Sequence, residues 1–315
     1  MSPSVLVLGA GSVGARHARN LARLGAAVTI TDVDAERAGA VEGVERAAFS
    51  LDHLDRYDGV VVATPTVLHA EHASAAVAAG VPVLVEKPLA TSVAAAGALA
   101  GSANVMVGYN LRFHDPVCRL RDLTAQGRAG ALRHARFWFG SYLPDWRPSI
   151  DYRISYSAHA AQGGGVLLDA IHELDLAVWW FGRDLDVAGA VVGQVGQLDI
   201  DVEDSVDALL TTAHGVAVAV HLDYLSRRYR RGIEVVGDQA TLRLDWARQI
   251  IEVEDANGVA STPVDVSVEQ SYEREAERFL AWLAGDATPP VDGVEGAASL
   301  GLADAIRAAG APASP

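Results

Sequence analysis

The sequence predicts an α/β protein with an N-terminal doubly wound parallel sheet and a C-terminal α/β domain whose sheet is open and mainly antiparallel. Apolar strand-like runs alternate with helical patterns over residues 5–107, which is typical of a parallel sheet. A glycine-rich turn joins the first strand to the first helix, and residues 185–254 contain strands with partial alternation between turn signals. We therefore expect domains at 1–110 and 111–315, an arrangement that allows the last helix to pack back on the first domain.

The first strand and helix carry a glycine motif. The apolar run 5–8 has no polar alternation, as expected of a strand covered on both faces, and it leads into G-x-G-x-x-G at residues 9–14. In this motif the first glycine permits the turn, the second lets the backbone approach a pyrophosphate, and the third lets the helix pack against the strand. The helix N-terminus adds N–H groups and a positive dipole end. The motif therefore predicts dinucleotide binding.

The second strand, 27–30, ends at Asp32, about twenty residues beyond the turn, where an acid accepts a hydrogen bond from a ribose hydroxyl. Asp32 would repel a 2′-phosphate, and no arginine follows it immediately. The sequence thus favours NAD over NADP. A turn of the same shape that binds no nucleotide is the alternative.

The alternation of strands and helices continues from there. Strands are predicted at 59–63, 81–85 and 104–107, and helices at 68–79 and 92–100. His69 and His72 lie one helical turn apart, a spacing that can indicate a metal site. Because no third ligand is nearby, we interpret them as histidines on the helix surface.

One lysine stands at the end of the strand 81–85, in the sequence Glu86-Lys87-Pro88. Lys87 is the only lysine in a chain whose Lys+Arg count is 25. An ammonium is a compact charge that can exchange a proton, whereas a guanidinium stays charged. Ligands of open α/β sheets bind at the carboxyl ends of the strands. These facts make Lys87 a candidate catalytic residue, with a surface lysine as the alternative.

The second half of the chain has a different pattern of predicted elements. A helix to about residue 126, a strand at 132–139 and an irregular polar and aromatic segment at 141–162 precede the predicted antiparallel sheet. Long irregular segments inside compact domains are commonly binding loops. The outer face of the sheet carries enough apolar side chains that we expect another subunit to cover it. Helices at 272–283 and 295–309 close the chain.

A second group of titratable residues follows the glycines 163–165. Asp169 lies near a predicted helix start, and His172 and Asp175 share one helix face. Histidine titrates near neutrality, so His172 suits proton transfer to or from a hydroxyl. Asp169 or Asp175 would hold its tautomer, although Asp169 could instead cap the helix and Asp175 could be a buried structural acid. A zinc site at Asp169, His172 and Glu173 is disfavoured by the lack of cysteines, and we expect no metal.

Composition excludes several classes of protein. The 315 residues carry a net charge of −15, and the pI is near 5.0, which argues against a nucleic-acid partner. The single Cys118 rules out an intrachain disulfide and suits a reducing compartment. No apolar segment reaches the length of about 20 residues that spans a bilayer, and the N-terminus does not read as a signal peptide. We expect a soluble, cytoplasmic protein.

These motifs together resemble the Gfo/Idh/MocA family of NAD(P)-dependent oxidoreductases. The matching elements are Gly9-x-Gly11-x-x-Gly14, Thr64-Pro65-x-x-x-His69, Glu86-Lys87-Pro88, Tyr109-Asn110-Leu111-Arg112-Phe113, and Gly163 through His172-x-x-Asp175 to Gly182. The resemblance implies a Rossmann domain followed by an α/β domain whose open sheet forms homodimers or homotetramers. The long insert from Trp146 to Ala161 is similar to that of members acting on nucleotide-linked or cell-surface sugars.

The resemblance also implies roles for individual residues. The lysine of Glu-Lys-Pro lies by the nicotinamide and the substrate oxygen in this family, and the proline after it is often cis. His172 looks like the acid/base, with Asp169 beside it. Family members usually have four steps from the aspartate to the histidine, whereas here there are three. Because His172 keeps its spacing to Asp175, the assignment is stronger for His172 than for Asp169.

The expected activity is hydride transfer between NAD and a secondary alcohol or ketone of a sugar or polyol, with Lys87 stabilising the substrate oxygen. A non-catalytic NAD- and sugar-binding sensor, or a reductase of imines or non-sugar carbonyls, are the alternatives. The predicted cofactor-binding residues are Gly9, Gly11, Ser12, Val13, Gly14, Asp32, Ala63, Thr64, Pro65, His69, Glu86 and Lys87. The predicted substrate-binding residues are Asn110, Arg112, Arg147, Arg153, Asp169 and His172, with the arginines suited to gripping an anionic substituent.

Overall fold

A computed structural model describes residues 2–146, 150–286 and 288–312. The chain divides into two compact units. The first contains Met1–Phe113 and Val268–Leu300, and the second contains His114–Ser267 and Gly301–Pro315. The first boundary lies close to the predicted one at residue 110. The predicted continuous second domain 111–315 differs from the structure, because residues 268–300 return to the first unit.

The first unit contains a six-stranded, entirely parallel sheet in the order β3-β2-β1-β4-β5-β6. Its strands are β1 (Ser4–Leu8), β2 (Ala27–Thr31), β3 (Glu45–Arg46), β4 (Gly59–Val62), β5 (Val83–Glu86) and β6 (Val105–Gly108). The strand order reverses between β1 and β4, which is the point where open α/β sheets bind their ligands. The predicted doubly wound parallel sheet is confirmed.

Helices connect these strands: α1 (Ser12–Arg23), α2 (Ala35–Gly39), α3 (Thr66–Ala78) and α4 (Val93–Ala96). The predicted helix 92–100 is shorter than expected. Ser92 caps α4 by accepting from the N–H of Ala95, and Gly97, at φ +49°, ends it before a 3-10 turn. A left-handed φ suits glycine and interrupts helical hydrogen bonding.

The core of the first unit lies on both faces of the sheet, because β1, β4, β5 and β6 are almost completely buried. The later helix α9 (Glu269–Leu283) also packs here, and a Cβ at Gly59 of β4 would lie 2.7 Å from the Leu283 side chain. This close contact explains why α9 belongs to the first unit although it follows the second sheet in sequence.

The second unit contains a nine-stranded sheet in the order β14-β13-β12-β11-β7-β10-β9-β8-β15. Its strands are β7 (Leu132–Gly140), β8 (Leu185–Gly193), β9 (Ser205–Thr212), β10 (Ala217–Asp223), β11 (Arg230–Gly237), β12 (Ala240–Asp245), β13 (Ile250–Asp255), β14 (Gly258–Pro263) and β15 (Gly310–Pro312). Two pairs, β7 with β10 and β8 with β15, are parallel, and the others are antiparallel. The predicted open, mainly antiparallel sheet is confirmed.

The remaining helices are α5 (Asp115–Ala125), α6 (Leu143–Trp146), α7 (Val166–Asp169), α8 (His172–Phe181) and α10 (Gly293–Ala309). One face of the sheet is buried by alternate side chains of β9 and β10, while Leu209 of β9 and Val191 of β8 are about half exposed. Within the described residues, none of the helices has the length and apolar character needed to cross a membrane.

Candidate active site

The glycine turn between β1 and α1 leaves no room for side chains at its first and third glycines. A Cβ at Gly9, which has φ +101°, would lie 2.5 Å from the carbonyl oxygen of Ala63. A Cβ at Gly14 would lie 1.9 Å from the carbonyl oxygen of Gly9 and 3.2 Å from the Ala63 side chain. The backbones of Gly9, Gly14 and Ala63 therefore pack directly against one another.

The second glycine of the motif faces open space. A Cβ at Gly11 would have no neighbour within 4 Å. Gly11 is the N-cap of α1, no side chain caps the helix, and no acidic residue stands in its first turn of Ser12, Val13 and Gly14. Uncapped N–H groups and an open backbone approach suit the pyrophosphate of a dinucleotide. The residues of this turn thus fit NAD.

Asp32 follows β2 and is tied to the glycine turn. Its Oδ2 accepts from the N–H of Ala10 at 2.7 Å, and its Oδ1 accepts from the N–H of Asp34 at 2.9 Å. The Nη1 of Arg37, in α2, lies 3.9 Å from Asp32 Oδ2. This positive charge, five residues further along the chain, was missed because only the residues immediately after Asp32 were considered.

The end of β5 places an acid, an amine and a cis proline in succession. Glu86 Oε1 lies 2.6 Å from Nε2 of His17 in α1, and Glu86 Oε2 accepts from the backbone N–H of Lys87 at 3.1 Å. The peptide bond between Lys87 and Pro88 is cis, as the family resemblance implied. The Glu86 side chain therefore fixes the backbone from which the Lys87 side chain projects.

The histidines of α3 are buried, so their interpretation as helix-surface residues was wrong. His69 is 2% exposed and His72 is 4% exposed. His69 Nδ1 lies 2.7 Å from the carbonyl oxygen of Pro88, and its Nε2 lies 2.8 Å from the carbonyl oxygen of Thr64. His72 Nδ1 lies 3.0 Å from Thr64 Oγ1. Both rings therefore find a partner in Thr64, directly after β4, and His69 also contacts Pro88, in the loop after β5.

His69 joins the loop after β4 to the loop after β5. Burial lowers its pKa, although the carbonyl groups of Pro88 and Thr64 favour the charged form. A neutral imidazole has one N–H, so it donates to only one of these carbonyl groups, whereas the cation donates to both. The ring lies within hydrogen-bond distance of both the Thr64-Pro65 turn and the loop that carries Lys87, and the cation bonds to both.

The second unit contributes a different set of residues. Asp169 is the last residue of the short helix α7, and His172 is the first residue of α8. The Asp169 Oδ2 accepts from the hydroxyl of Tyr224 at 2.6 Å in a buried environment. Burial and the charge of Asp169 raise the pKa of Tyr224 well above its usual value, so Tyr224 is the donor. Because Asp169 bonds to Tyr224 and Ile171 is the N-cap of α8, the alternative of Asp169 as a helix cap was wrong.

The residues next to His172 are buried as well. Glu173 forms a two-pronged ion pair with Arg231 of β11, with contacts of 2.7 and 3.1 Å. Asp175 is fully buried, and His172 is 7% exposed. The Glu173–Arg231 pair fixes the first turn of α8 against the sheet, and thereby fixes the backbone of His172.

The segment 141–162, predicted as a binding loop, forms α6 and three 3-10 turns. It encloses a small pocket lined by Leu143, Trp146, Ile150, Tyr152, Ser155 and Ser157. The ring of Trp146 packs 5.7 Å from that of Tyr224, which connects this pocket to Asp169. Arg153 is paired with Asp151 at 2.7 Å, and the predicted substrate residue Arg147 lies outside the described residues.

The two remaining predicted substrate residues belong to the first unit. Asn110 Nδ2 donates to Ser271 Oγ at 2.8 Å, and both residues are buried. The side chain of Arg112 is 4% exposed and donates to Glu295 Oε1 at 3.0 Å. Both side chains therefore have partners from the C-terminal segment of the first unit.

A group of possible metal ligands is present in the described part of the chain. His17, Glu86 and Glu275 of α9 are buried, and one ligand atom of each lies within 4.8 Å of the others. His17 and Glu86 already share a hydrogen bond at 2.6 Å. Asp169, His172 and Glu173 do not form such a group among the described residues.

Two family models match the chain. One, described as an oxidoreductase family with an NAD-binding Rossmann fold, matches residues 4–107, and the other, described as the GFO/IDH/MocA C-terminal domain, matches residues 117–243. An inositol 2-dehydrogenase from Acidothermus cellulolyticus is 32% identical over 264 residues, which cover 78% of this chain and 73% of that protein. A 1,5-anhydro-D-fructose reductase from Ensifer adhaerens is 28% identical over 305 residues, with 91% and 89% covered.

The fold of solved structures agrees with these matches. An oxidoreductase from Agrobacterium radiobacter, solved in complex with NAD+, L-tartaric acid and magnesium, has a TM-score of 0.85 at 22% identity, covering 98% of this chain and 96% of that one. The protein is thus an NAD(P)-dependent oxidoreductase whose first unit contains an NAD-binding Rossmann domain. It belongs to the Gfo/Idh/MocA family. Its relatives in that family are oxidoreductases of the sugar and polyol type.

Sequence reasoning missed four residues at these sites: His17, Arg37, Tyr224 and Glu275. A signal existed for Glu275, because Ser271, Glu275 and Phe279 recur every four residues along the buried face of α9. An acid on the buried face of a helix is rarely found without a partner or a function. Tyr224 and Arg37 gave no comparable local signal.

Proposed function

We propose that the protein transfers hydride between the nicotinamide of NAD and a secondary alcohol or ketone of a sugar, polyol or sugar derivative. The observation that carries the proposal is the placement of Lys87, the only lysine of the chain, directly after the carboxyl end of β5 in the NAD-binding domain. The names of the relatives, an inositol dehydrogenase and an anhydrofructose reductase, support a polyhydroxylated substrate.

Each chemical step has a candidate residue. Bound NAD supplies the hydride acceptor for alcohol oxidation. Lys87 places a positive charge at the substrate oxygen, where negative charge develops as the hydroxyl proton leaves. His172 removes that proton and returns it in the reverse reaction. Asp169, itself held by Tyr224, orients the imidazole.

Asp32 supports NAD over NADP as the cofactor. A carboxylate at the end of β2 accepts from a ribose hydroxyl and repels a 2′-phosphate. Arg37 is 55% exposed and 3.9 Å from Asp32, so water screens its charge. We expect NAD to be the better cofactor, as separate titrations of the apoprotein with NADH and NADPH will test.

A substrate panel tests the activity. Inositols, aldoses, polyols and nucleotide-linked sugars are offered with NAD, and their ketones, together with imines and non-sugar carbonyls, are offered with NADH, while nicotinamide absorbance is followed. We expect turnover among the sugars and polyols. Turnover only with imines or non-sugar carbonyls would replace the proposed substrate class, and binding of NAD and sugar without turnover would favour a sensor.

Variants of Lys87 and His172 test the roles. We expect Lys87→Ala to reduce kcat by about 10²–10³-fold, with NADH affinity retained. Lys87→Arg keeps the charge and should recover part of that loss. His172→Asn should reduce kcat by about 10²–10⁴-fold and remove one limb of the pH profile. Unchanged turnover in Lys87→Ala would remove Lys87 from the mechanism.

Further parts of the proposal concern assembly and substrate contacts. We propose that the exposed face of the nine-stranded sheet forms a homodimer or homotetramer, which sedimentation measures directly. We also propose substrate-binding roles for Arg153 and Arg147, which would grip an anionic substituent, and for Asn110 and Arg112. Cytoplasmic location stays a prediction.

A further inference from the structure

A cluster of three buried titratable side chains includes Glu86, the residue that precedes Lys87. We call His17, Glu86 and Glu275 the acid cluster. They come from α1, β5 and α9 of the first unit, and they are 0%, 7% and 0% exposed. Both oxygens of Glu86 are engaged, one with His17 and the other with the backbone N–H of Lys87. Neither oxygen of Glu275 has a hydrogen-bond partner in the described part of the chain.

The two carboxyl groups of the cluster are not equivalent. Burial favours protonation of Glu86, but the hydrogen bond from His17 and the charges of His17 and Lys87 outweigh it and lower the pKa. Burial and then the charge of Glu86 raise the pKa of Glu275 well above its usual value. Two carboxylates this close in the protein interior do not both ionise near neutral pH, as in other paired acids. The raised pKa favours the proton on Glu275, to whose anion no hydrogen-bond donor is offered by the described residues.

We propose that Glu275 is a positioning residue that holds a proton and thereby leaves one negative charge, that of Glu86, beside Lys87. The inference rests on the proposed function in so far as Lys87 acts on substrate. A second carboxylate in the cluster would offset the positive potential that Lys87 supplies to a developing oxyanion. The protonated Glu275 prevents this, and His17 keeps the remaining charge on Glu86.

Other charged and titratable groups face the cluster. Tyr272 of α9 packs its ring edge-on against His17, with ring centroids 5.8 Å apart, and Arg16 of α1 lies over the Tyr272 ring at 4.6 Å. Burial, followed by the negative charge of Glu86, raises the pKa of Tyr272, so it stays neutral. His17 Nε2 and Glu86 Oε1 lie 2.6 Å apart and share a hydrogen bond, which a divalent cation bound through these two atoms would have to break.

The single lysine provides a direct test that needs no substrate. Lysine labelled with ¹³C at Cε gives one side-chain resonance, so the pKa of Lys87 is measured by NMR titration of the full-length protein. Removing a neighbouring anion lowers a lysine pKa by about 1 unit. We expect a lower Lys87 pKa in Glu86→Gln, which removes the anion, and an unchanged one in Glu275→Gln, whose neutral side chain mimics the protonated acid. Glu277→Gln, an exposed position on the same helix, is the matched control and should equal the wild type.

Urea unfolding across pH tests the proton on Glu275 itself. Folded wild type keeps this proton above about pH 4.3, where the unfolded chain releases it. The unfolding equilibrium constant of wild type should therefore rise relative to that of Glu275→Gln by up to about tenfold per pH unit above that pH, and Glu277→Gln should behave as wild type.

Three results would overturn the proposal. Identical pH profiles of unfolding in wild type and Glu275→Gln would show that Glu275 holds no proton. An unchanged Lys87 pKa in both cluster variants would show that the cluster does not act on Lys87. Stoichiometric zinc or manganese in the purified protein, lost in Glu275→Gln, would replace the proton by a metal. Absence of turnover in the substrate panel would contradict only the proposed function, because neither measurement uses substrate.

Discussion

The two units hold their candidate catalytic residues in different ways. In the first unit the turn around Gly9 and Gly14 and the loop around Lys87 are fixed mainly through backbone atoms, such as the Pro88 carbonyl that bonds His69. In the second unit Asp169 is fixed by a side chain from a distant part of the sequence, Tyr224. A site held by backbone contacts requires glycines and prolines, which can be recognised in the sequence. A site held by contacts between distant side chains has no local sequence pattern.

This difference predicts that substitutions in the two regions fail in different ways. Where two backbone segments are in contact, an added methyl group has no flexible side chain to displace. The substitution therefore lowers the free energy of unfolding. Where one side chain bonds another, removing the bond leaves the packing intact, and the cost is limited to one hydrogen bond.

The largest expected effect is that of Gly14→Ala. The added Cβ would lie 1.9 Å from the Gly9 carbonyl oxygen, so α1 must move away from β1. We expect a loss of about 3 kcal/mol in the free energy of unfolding, at the upper end for overpacking, together with loss of NAD binding. Urea unfolding and NADH fluorescence titration measure the two effects.

Gly11→Ala is the matched control for that variant. Its Cβ would have no neighbour within 4 Å, and Gly11 has an ordinary φ of −63°. We expect stability close to that of the wild type, with weaker NAD binding because the methyl group faces the approach of the pyrophosphate. Equal stability losses in the two variants would contradict the assignment of Gly14 to packing and Gly11 to cofactor approach.

A smaller effect is expected in the second unit for Tyr224→Phe. The ring keeps its contact with Trp146, but the hydroxyl that donates to Asp169 Oδ2 at 2.6 Å is lost. A hydrogen bond to a buried carboxyl group predicts a loss of about 2 kcal/mol in unfolding free energy. Tyr142→Phe is the control, because Tyr142 makes a ring contact with Arg227 and its hydroxyl has no hydrogen bond in the described structure. A cost equal to that of the control would show that the second unit does not depend on this side-chain contact.

The same contrast explains what the sequence could predict. The glycine motif and the Glu86-Lys87-Pro88 turn were predictable, because each is a local backbone requirement that few residues meet. The parallel character of the first sheet and the mainly antiparallel character of the second followed from the hydrophobic periodicity and the alternation with helices. Tyr224 and Arg231 were not predictable as partners of Asp169 and Glu173, because β-sheet pairing brought them from 55 and 58 residues away.

The burial of polar residues was the second feature that the sequence did not predict. His72 was interpreted as a surface residue because α3 is rich in alanine and has no clear apolar stripe, yet its ring bonds Thr64 at the end of β4. The return of α9 to the first unit likewise has no local signature, and it alone brings Glu275 to Glu86. Side-chain partners that depend on the tertiary path of the chain are therefore the part of the site that required the structure.

The smallest change in stability is expected for a side-chain contact near the surface of the second unit. His221 of β10 lies between two acids, with Nε2 3.0 Å from Asp223 and Nδ1 2.8 Å from Asp207 of β9. The hydrogen bond to Asp223 raises the pKa of His221; burial opposes it, and Asp207 adds to it. Because the folded pKa lies above the unfolded value of about 6.5, the stabilisation is complete below about pH 6.5 and is lost as the pH rises through the folded pKa.

We therefore expect His221→Asn to destabilise the protein more at about pH 6 than at about pH 9, by less than about 1 kcal/mol, since solvent screens a half-exposed pair. Urea unfolding at the two pH values measures the difference, and added salt should reduce it because ions screen exposed charges. His134→Asn, an exposed histidine on the neighbouring strand β7, is the control and should cost little at either pH. A destabilisation independent of pH would mean that His221 contributes packing rather than charge. A destabilisation as large as that of Tyr224→Phe would mean that exposure does not weaken side-chain fixation in this sheet.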